Sequence, residues 1–393
     1  MSKPDDCPHR PPCPGCPRFG EVTLPPNAWS QLTELAKAAG LPEPPIHSLP
    51  GRGHRHRARL AVRGNARNPK IGLFQSGSHR IVHTPRCAVH HPLINEAAQE
   101  IREAIRETGI APYADRPHQG VLRYLQLVVE RSSDRIQVVL VGCGELPEVL
   151  GDLPEAVERR LGDRLQGLFF NAQPERSNAI LGPDMTHLAG KSATVESISG
   201  VDVYFPPGAF GQNHLPLFER AVARIAQLVP NDSLVAEFYC GVGSIGLPLL
   251  EPAKGIRFNE RSADGLAGLE FGLAALPDGE RARATVLPGA AGERLDTLDG
   301  AEIVIVDPPR RGLDDPLRKA LESAPPQRLI YLACGLESLI ADLQSLTRSG
   351  ALGIAGVEVF DFFPFTQHVE TLIWLDRVDE AGRHPIETRP LSD

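Results

Sequence analysis

The sequence predicts an α/β protein in three parts: a small cysteine-rich segment over residues 1–20, a mixed α+β domain over residues 45–214, and a Rossmann-like domain over residues 215–393. Two observations predict the last two parts. Short apolar runs alternate with helical patterns in the last part of the chain, as parallel strands and crossover helices do. The residues before them alternate in hydrophobicity, which is typical of hairpin strands. Closely spaced cysteines and prolines mark the first part, where neither helix nor strand fits.

The first half of the chain contains few long periodic segments. Leu32 and Leu35 share one side of a helical pattern that ends at Gly40, and a proline-rich connector follows. The predicted helices cover residues 27–40 and 93–107, and the predicted strands cover residues 58–62, 71–74, 121–129, 135–141, 167–171 and 201–205.

The second half alternates regularly between strand and helix, and its last two strands are expected to form a hairpin. The predicted strands cover residues 234–239, 255–259, 303–306, 329–333, 356–362 and 371–375, and the predicted helices cover residues 217–228, 263–275, 316–321 and 336–347. The last ~12 residues have the composition of a loose polar tail.

Charge is unevenly distributed along the 393 residues, whose net charge is −8. No Asp or Glu occurs between Pro44 and Asn95, a window with nine Lys and Arg and seven of the thirteen His residues. A local excess of positive charge attracts phosphate backbones even in an acidic protein. We therefore expect this window to bind nucleic acid, with a solvated basic surface as the alternative.

No apolar run approaches the ~20 residues of a membrane span, and Met1 to Asp6 lack a signal-peptide core. The sequence therefore predicts a cytoplasmic protein without a membrane partner, and we expect a monomer. Cysteines of a cytosolic protein are normally reduced, which favours metal binding or catalysis over disulfides.

The spacing of Cys7, Cys13 and Cys16 indicates a metal centre. Three thiolates in a short loop need a fourth ligand, and Cys87 is the best candidate because Cys143 ends a strand-like run and is expected to be buried. Such a set suits either a four-thiolate zinc site or an iron–sulfur cluster. Free surface thiols are the remaining alternative.

A glycine loop, Cys240 to Gly246, follows the first strand of the last domain and contains Gly241, Gly243 and Ser244. Glycine allows a ligand to approach the backbone closely. Glu260 ends the next strand, where its carboxylate can accept hydrogen bonds from both hydroxyls of a ribose. Tyr239 and Cys240 at the entry, and Pro248 soon after, favour S-adenosylmethionine over a dinucleotide such as NAD.

Cys334 follows an apolar strand and precedes Gly335 and a helical pattern. A lone cysteine there is more often a buried small side chain, but a carboxylate turn, Asp307-Pro308-Pro309-Arg310, lies before it. In methyltransferases that act on exocyclic amines, the fourth residue of such a turn is usually aromatic and stacks on the base. Arg310 stands at this position, which argues against that substrate class.

A cysteine beside a methyl donor suggests covalent catalysis on a pyrimidine. Addition of Cys334 to C6 of uracil would make C5 nucleophilic, and Glu370 could remove the C5 proton. Asp307 and Gln212 could hold the polar edge of the ring. A base inside an RNA fold would have to turn outward to reach these groups.

The chain resembles the RNA uracil-5-methyltransferases that form 5-methyluridine in tRNA and ribosomal RNA. The resemblance runs from Cys7 to about Leu375. Its motifs are Phe210-Gly211-Gln212-Asn213, Tyr239-Cys240-Gly241-Val242-Gly243, Asp307-Pro308-Pro309-Arg310-Arg311-Gly312-Leu313, Cys334, and Phe363-Pro364-Phe365-Thr366-Gln367-His368-Val369-Glu370.

The resemblance implies a class I S-adenosylmethionine-dependent methyltransferase domain and assigns roles to individual residues. Cys334 is then the nucleophile and Glu370 the base. Gln212, Tyr239, Glu260 and Asp307 line the cofactor and substrate site. Cys7, Cys13, Cys16 and Cys87 are similar to the [4Fe–4S] ligands of that family, which favours iron–sulfur over zinc.

Only six residues precede Cys7, as in the shorter family members that modify large-subunit ribosomal RNA and lack an N-terminal β-barrel domain. We therefore expect 23S ribosomal RNA as the target.

Four positions depart from the family pattern. Ala333 and Gly335 replace the Ser and Asn that usually flank the nucleophile, Glu237 replaces an Asp, and Ala290 replaces a polar residue near the adenine. The flanking changes leave an alternative function open: an inactive or weakly active iron–sulfur RNA-binding protein derived from these enzymes.

Overall fold

The computed structural model describes residues 7–378, and the predicted polar tail lies outside them. The helices are α1 (Pro26–Ala38), α2 (Pro92–Thr108), α3 (Leu153–Leu161), α4 (Leu215–Leu228), α5 (Ala263–Ala275), α6 (Asp278–Arg281), α7 (Asp315–Ser323) and α8 (Leu336–Leu346). The first nine strands are β1 (Ile46–His47), β2 (Arg57–Asn65), β3 (Asn68–Phe74), β4 (Ile81–His83), β5 (Leu122–Glu130), β6 (Arg135–Gly142), β7 (Leu165–Ala172), β8 (Asp184–Gly190) and β9 (Thr194–Ile198). The others are β10 (Val201–Phe205), β11 (Leu234–Phe238), β12 (Gly255–Glu260), β13 (Ala284–Pro288), β14 (Ile303–Val306), β15 (Arg328–Ala333), β16 (Leu352–Phe360) and β17 (Glu370–Arg377).

The chain forms two compact units. Among the described residues, the first contains 7–21, 50–196 and 205–214, and the second contains 22–49, 197–204 and 215–378. Strands β9 and β10 form a separate two-stranded sheet. Within residues 7–378, none of the helices combines the length and the apolar character that crossing a membrane requires.

The first unit is built on a seven-stranded sheet with the order β4-β3-β2-β5-β6-β7-β8. All its pairs are antiparallel except β6 and β7. Alternate residues of the central strands form the main core with the apolar sides of α2 and α3. This confirms the predicted α+β character, and it adds α3 and β8, which were not predicted.

The second unit has an eight-stranded sheet with the order β1-β16-β17-β15-β14-β11-β12-β13. Strands β13, β12, β11, β14 and β15 are parallel neighbours, and β17 is antiparallel to both β15 and β16. The predicted Rossmann-like sheet and terminal hairpin are therefore present. Strands β1 and β13 join its two edges and were not predicted.

A buried ion pair joins β15 to β17. The guanidinium of Arg328 donates to both carboxylate oxygens of Asp376 at 2.6 and 2.7 Å, and it also donates to the Leu228 carbonyl at 2.9 Å. Both charged side chains are 1% exposed. Burial makes the pair sensitive to the loss of one partner, because the other would then be left charged in an apolar core.

We expect Asp376→Asn to lower the free energy of unfolding by about 3–5 kcal/mol, since it leaves the Arg328 charge unbalanced. The matched control is Asp278→Asn, which removes a surface pair with Arg281 whose carboxylate is 91% exposed. Urea unfolding followed by circular dichroism would measure both. An equal effect of the two substitutions would contradict the account.

Candidate active site

The predicted catalytic residues of the second unit lie at one edge of its sheet. Parallel strands β11, β12, β14 and β15 end there, so the loops after them share that edge. Cys334 directly follows β15. Glu370 begins β17, and the antiparallel pairing of Ala333 with Thr371 brings this strand to the same edge. The structure thus gathers Asp307, Cys334 and Glu370, which lie far apart in the sequence.

The loop after β11 has the backbone shape of a ligand cradle. Tyr239, Gly241 and Gly243 have left-handed φ angles of 58°, 56° and 78°. A Cβ on Gly243 would lie 2.6 Å from the Cδ1 atom of Leu269 on α5, so this position accepts only glycine without a shift. The loop thus turns tightly, and its role in binding a cofactor stays a prediction.

Glu260 is fixed at the end of β12 by backbone amides. One carboxylate oxygen accepts from the Gly241 amide at 2.9 Å, and the other accepts from the Arg261 and Ser262 amides at 2.8 and 2.6 Å. Gly265 on α5 packs beside it, with its Cβ position 3.0 Å from the Glu260 side chain. The carboxylate is thus held beside the glycine loop, where it could accept hydrogen bonds from a ribose.

Glu237, one of the departures from the family pattern, lies beneath this loop. Its side chain is buried, and its Oε2 atom has no hydrogen-bond partner within the described chain. Burial, followed by the charges of Asp307 and Glu260, raises the pKa of Glu237 well above its usual range.

The turn that begins at Asp307 is held in place by hydrogen bonds at its C-terminal end. The Leu313 amide donates to the Asp342 carboxylate at 2.9 Å, and the Tyr331 hydroxyl donates to the same oxygen at 2.8 Å. The Asp314 amide donates to the Tyr239 hydroxyl at 3.0 Å. These bonds hold the turn rigidly, and burial raises the pKa of Asp307 to about 7.

Glu370 is fully buried, and neither carboxylate oxygen has a hydrogen-bond partner within the described residues. Burial, and then the negative charge of Asp307, raise its pKa well above the usual value, while Arg310 opposes this. An unpartnered buried carboxylate is costly for stability. It is also a strong base, which suits a group that must take a proton.

Cys334 is half-buried beside these carboxylates. Burial, followed by Glu370 and Asp307, raises the pKa of the Cys334 thiol to about 11. The positive charge of Arg310 acts in the opposite direction and lowers the pKa of the Cys334 thiol. The sequence prediction treated Arg310 only as a reason to exclude another substrate class. Its place as the fourth residue of a turn that ends at the site was the available signal.

Gln212 lies in the first unit, in a segment with no regular secondary structure. It is half-buried. Its place in the cofactor and substrate site stays a prediction.

The four predicted metal ligands line one cavity of the first unit. Cys7, Cys13, Cys16 and Cys87 surround a space of about 310 Å³. The Asn95 side chain bonds both the amide and the carbonyl of Cys87 at 3.1 Å, which fixes that loop.

Burial raises the pKa of Cys16 to about 11, and the other three thiols add to this, while Arg55 opposes it. Cys143 is not among the residues around the cavity, and it is half-buried. Its predicted burial in the core was wrong because the strand ends at Gly142, one residue earlier.

Among the residues from 7 to 378, no group of three or more His, Cys, Asp or Glu side chains is close enough to hold a single metal ion. A cluster binds each thiolate to a different iron atom, so its ligands lie further apart than those of one zinc ion. The choice between zinc and an iron–sulfur cluster for these four cysteines stays a prediction.

The chain is similar to known RNA methyltransferases. Residues 291–378 match the family described as tRNA (uracil-5-)-methyltransferase. An uncharacterised RNA methyltransferase of Protochlamydia amoebophila is 32% identical over 377 residues, which cover 94% of this chain and 97% of that protein. The chain belongs to the tRNA (uracil-5-)-methyltransferase family. The family match contains Asp307, Cys334 and Glu370.

Other comparisons extend this uracil-5-methyltransferase likeness. An uncharacterised RNA methyltransferase of Gloeobacter violaceus is 31% identical over 399 residues, covering 94% of this chain and 84% of the relative. The crystal structure of Pyrococcus abyssi tRNA (uracil-54, C5)-methyltransferase with S-adenosyl-L-homocysteine is similar with a TM-score of 0.77 and 23% identity. It covers 92% of this chain and 84% of its own, so the fold is shared. The prediction of an S-adenosylmethionine-dependent uracil-5-methyltransferase is confirmed at the level of family.

The raised pKa of Glu370 predicts a pH-dependent stability in this family member. A carboxyl whose pKa is higher in the folded state stabilises the fold at low pH, and that contribution is lost as pH rises through the folded pKa. Glu370→Gln keeps the neutral form at every pH. We expect it to melt at least about 3 °C above the wild type at pH 8, and to melt with the wild type near about pH 4, where both forms are neutral.

Differential scanning fluorimetry across this pH range would measure the effect. Glu270→Gln on the exposed side of α5 is the control and should leave the melting temperature unchanged. A Glu370→Gln protein that is less stable than the wild type at pH 8 would show that the carboxylate is paired and ionised.

Proposed function

We propose that the protein methylates C5 of uracil in RNA through a covalent adduct between Cys334 and C6. The observation that carries the proposal is the meeting of Cys334, Asp307 and Glu370 at the edge of the sheet where the glycine loop lies. S-adenosylmethionine would supply the methyl group. The glycine loop from Tyr239 to Ser244 and the fixed carboxylate of Glu260 have the features that such a nucleoside needs.

The reaction needs a nucleophile and a base. Cys334 would add to C6 as a thiolate, and the ring electrons would move onto the carbonyl side, which makes C5 able to attack a methyl group. Glu370 would then take the C5 proton, the C5–C6 double bond would re-form, and the thiolate would leave. Its raised pKa makes Glu370 a stronger base for this step. Asp307 and Gln212 would orient the polar edge of the ring.

The trapped intermediate gives a direct test. RNA containing 5-fluorouridine has no proton at C5 to remove, so it should remain bound to the wild-type protein and give a protein–RNA band on a denaturing gel. Cys334→Ala should give no such band.

Glu370→Gln with ordinary RNA and methyl donor should accumulate the same protein–RNA band, because the adduct can no longer be resolved by removal of the C5 proton. A wild-type protein that gives no adduct would exclude the mechanism.

An inactive or weakly active RNA-binding protein is the alternative function. The raised pKa of Cys334 and the exchanged neighbours Ala333 and Gly335 favour it. Methyl transfer to any RNA by the wild-type protein would exclude an inactive protein.

The RNA target is proposed separately. Ribosomal RNA stays the predicted target, and tRNA is the alternative indicated by the family description. Methyl transfer to purified 23S ribosomal RNA and to tRNA, each lacking the modification, would distinguish them.

We also propose that Cys7, Cys13, Cys16 and Cys87 hold a [4Fe–4S] cluster. The cavity that these thiols line, and the clamp that Asn95 places on Cys87, support this. When bound, the cluster would link the N-terminal segment to the Cys87 loop, and it would supply an electron-transfer centre.

Cys87→Ser should lose the brown colour and visible absorbance of the cluster in anaerobically purified protein, because one of four iron ligands is gone. Cys143→Ser is the matched control, since Cys143 lies outside the cavity, and it should keep the full iron and sulfide content. A colourless wild-type protein with stoichiometric zinc would contradict the cluster.

A further inference from the structure

Gly335, one of the departures from the family pattern, is held in a tightly packed place. A Cβ atom there would lie 2.6 Å from the Arg310 carbonyl oxygen and 2.8 Å from the Ser338 hydroxyl. Its φ of −119° and ψ of 97° are open to any residue. Close packing, rather than backbone conformation, is therefore what requires a glycine here.

This close approach packs the turn that contains Arg310 against the beginning of α8. The Ser338 hydroxyl donates to the Arg310 carbonyl oxygen at 2.8 Å and lies 2.9 Å from the Gly335 carbonyl oxygen. The Arg310 Cα atom would be 3.2 Å from the Gly335 Cβ position. The backbone of Arg310 is thus fixed against the residue that follows the nucleophile.

This docking holds the backbone of Arg310 beside Cys334. The positive charge of Arg310 lowers the pKa of the Cys334 thiol, and its Nη1 atom lies 3.4 Å from Nε2 of His368. The other ionisable groups that act on Cys334 are the carboxyls of Glu370 and Asp307. Arg310 therefore supplies the positive charge that a thiolate needs beside two carboxyls.

We propose that Gly335 is a positioning residue that places the Arg310 guanidinium on Cys334, and that Arg310 stabilises the Cys334 thiolate. The inference rests on the proposed function, because it assumes that Cys334 reacts as a thiolate. The exchange of the usual Asn for Gly335 then has a function in this chain: it lets the backbone of the turn approach Cys334.

The test measures the Cys334 thiolate without RNA or methyl donor. In alkylation by iodoacetamide, the thiol loses its proton to solvent, sulfur bonds to carbon and iodide leaves, so the rate follows the thiolate fraction. Mass spectrometry of the peptide that contains Cys334 separates it from the other six cysteines. The measured quantity is the pH at which the alkylation rate is half its maximum.

Arg310→Met should raise this pH midpoint by about one unit, since the positive charge beside the thiolate is lost. Arg310→Lys should recover part of the shift. Gly335→Ala should raise the midpoint as Arg310→Met does, and the double variant should shift no further, because both changes remove the same contact. Gly279→Ala is the matched control, since a Cβ there meets nothing within 4 Å.

An unchanged midpoint in Arg310→Met would overturn the role of Arg310, and additive shifts in the double variant would overturn the role of Gly335. Arg310→Met leaves the packing at Gly335 intact, so it tests the charge even if Gly335→Ala fails to fold. The assay is independent of RNA. A failure to trap the RNA adduct would therefore count against the proposed function, whereas these titrations count only for or against the contact.

Discussion

Burial of negative charge at the carboxyl edge of the sheet is the constraint on which the site depends. Asp307 and Glu370 have raised pKa values there, and both raise the pKa of Cys334. Each of these groups makes the others harder to ionise. Arg310 is a cation that opposes the rise in the pKa of Cys334.

The fold holds these buried ionisable groups in place by attaching them to the ends of strands. Parallel strands bring Asp307 and Cys334 to one edge, and the antiparallel strand β17 adds Glu370 from the end of the chain. Asp342 and Tyr331 clamp the turn behind Asp307. Buried carboxyls lower stability, and the surrounding sheet and hydrogen bonds offset this. The packing of the whole second unit thus offsets the stability that the buried carboxyls of the site cost.

Much of this organisation could be predicted from the sequence, because strand and helix alternation and motif order are local features. Strands β8 and β13 were missed because none of their side chains is fully buried, so their hydrophobic pattern is weak. The Arg310 contact could not be predicted, since it depends on how closely a turn packs on Gly335. Likewise, only the folded structure shows that the Oε2 atom of Glu237 has no hydrogen-bond partner within the described residues. Residue roles and domain boundaries remain predictions.

The central claim is that addition of Cys334 activates uracil C5, which then gains a methyl group and loses its proton. The most direct measurement uses RNA labelled with tritium at C5 of uridine and compares tritium release with methyl incorporation. The account predicts one tritium released into water for each methyl group transferred, and no release by Cys334→Ala. Methyl incorporation without tritium release would contradict it, because the methyl group would then have been placed on a different atom.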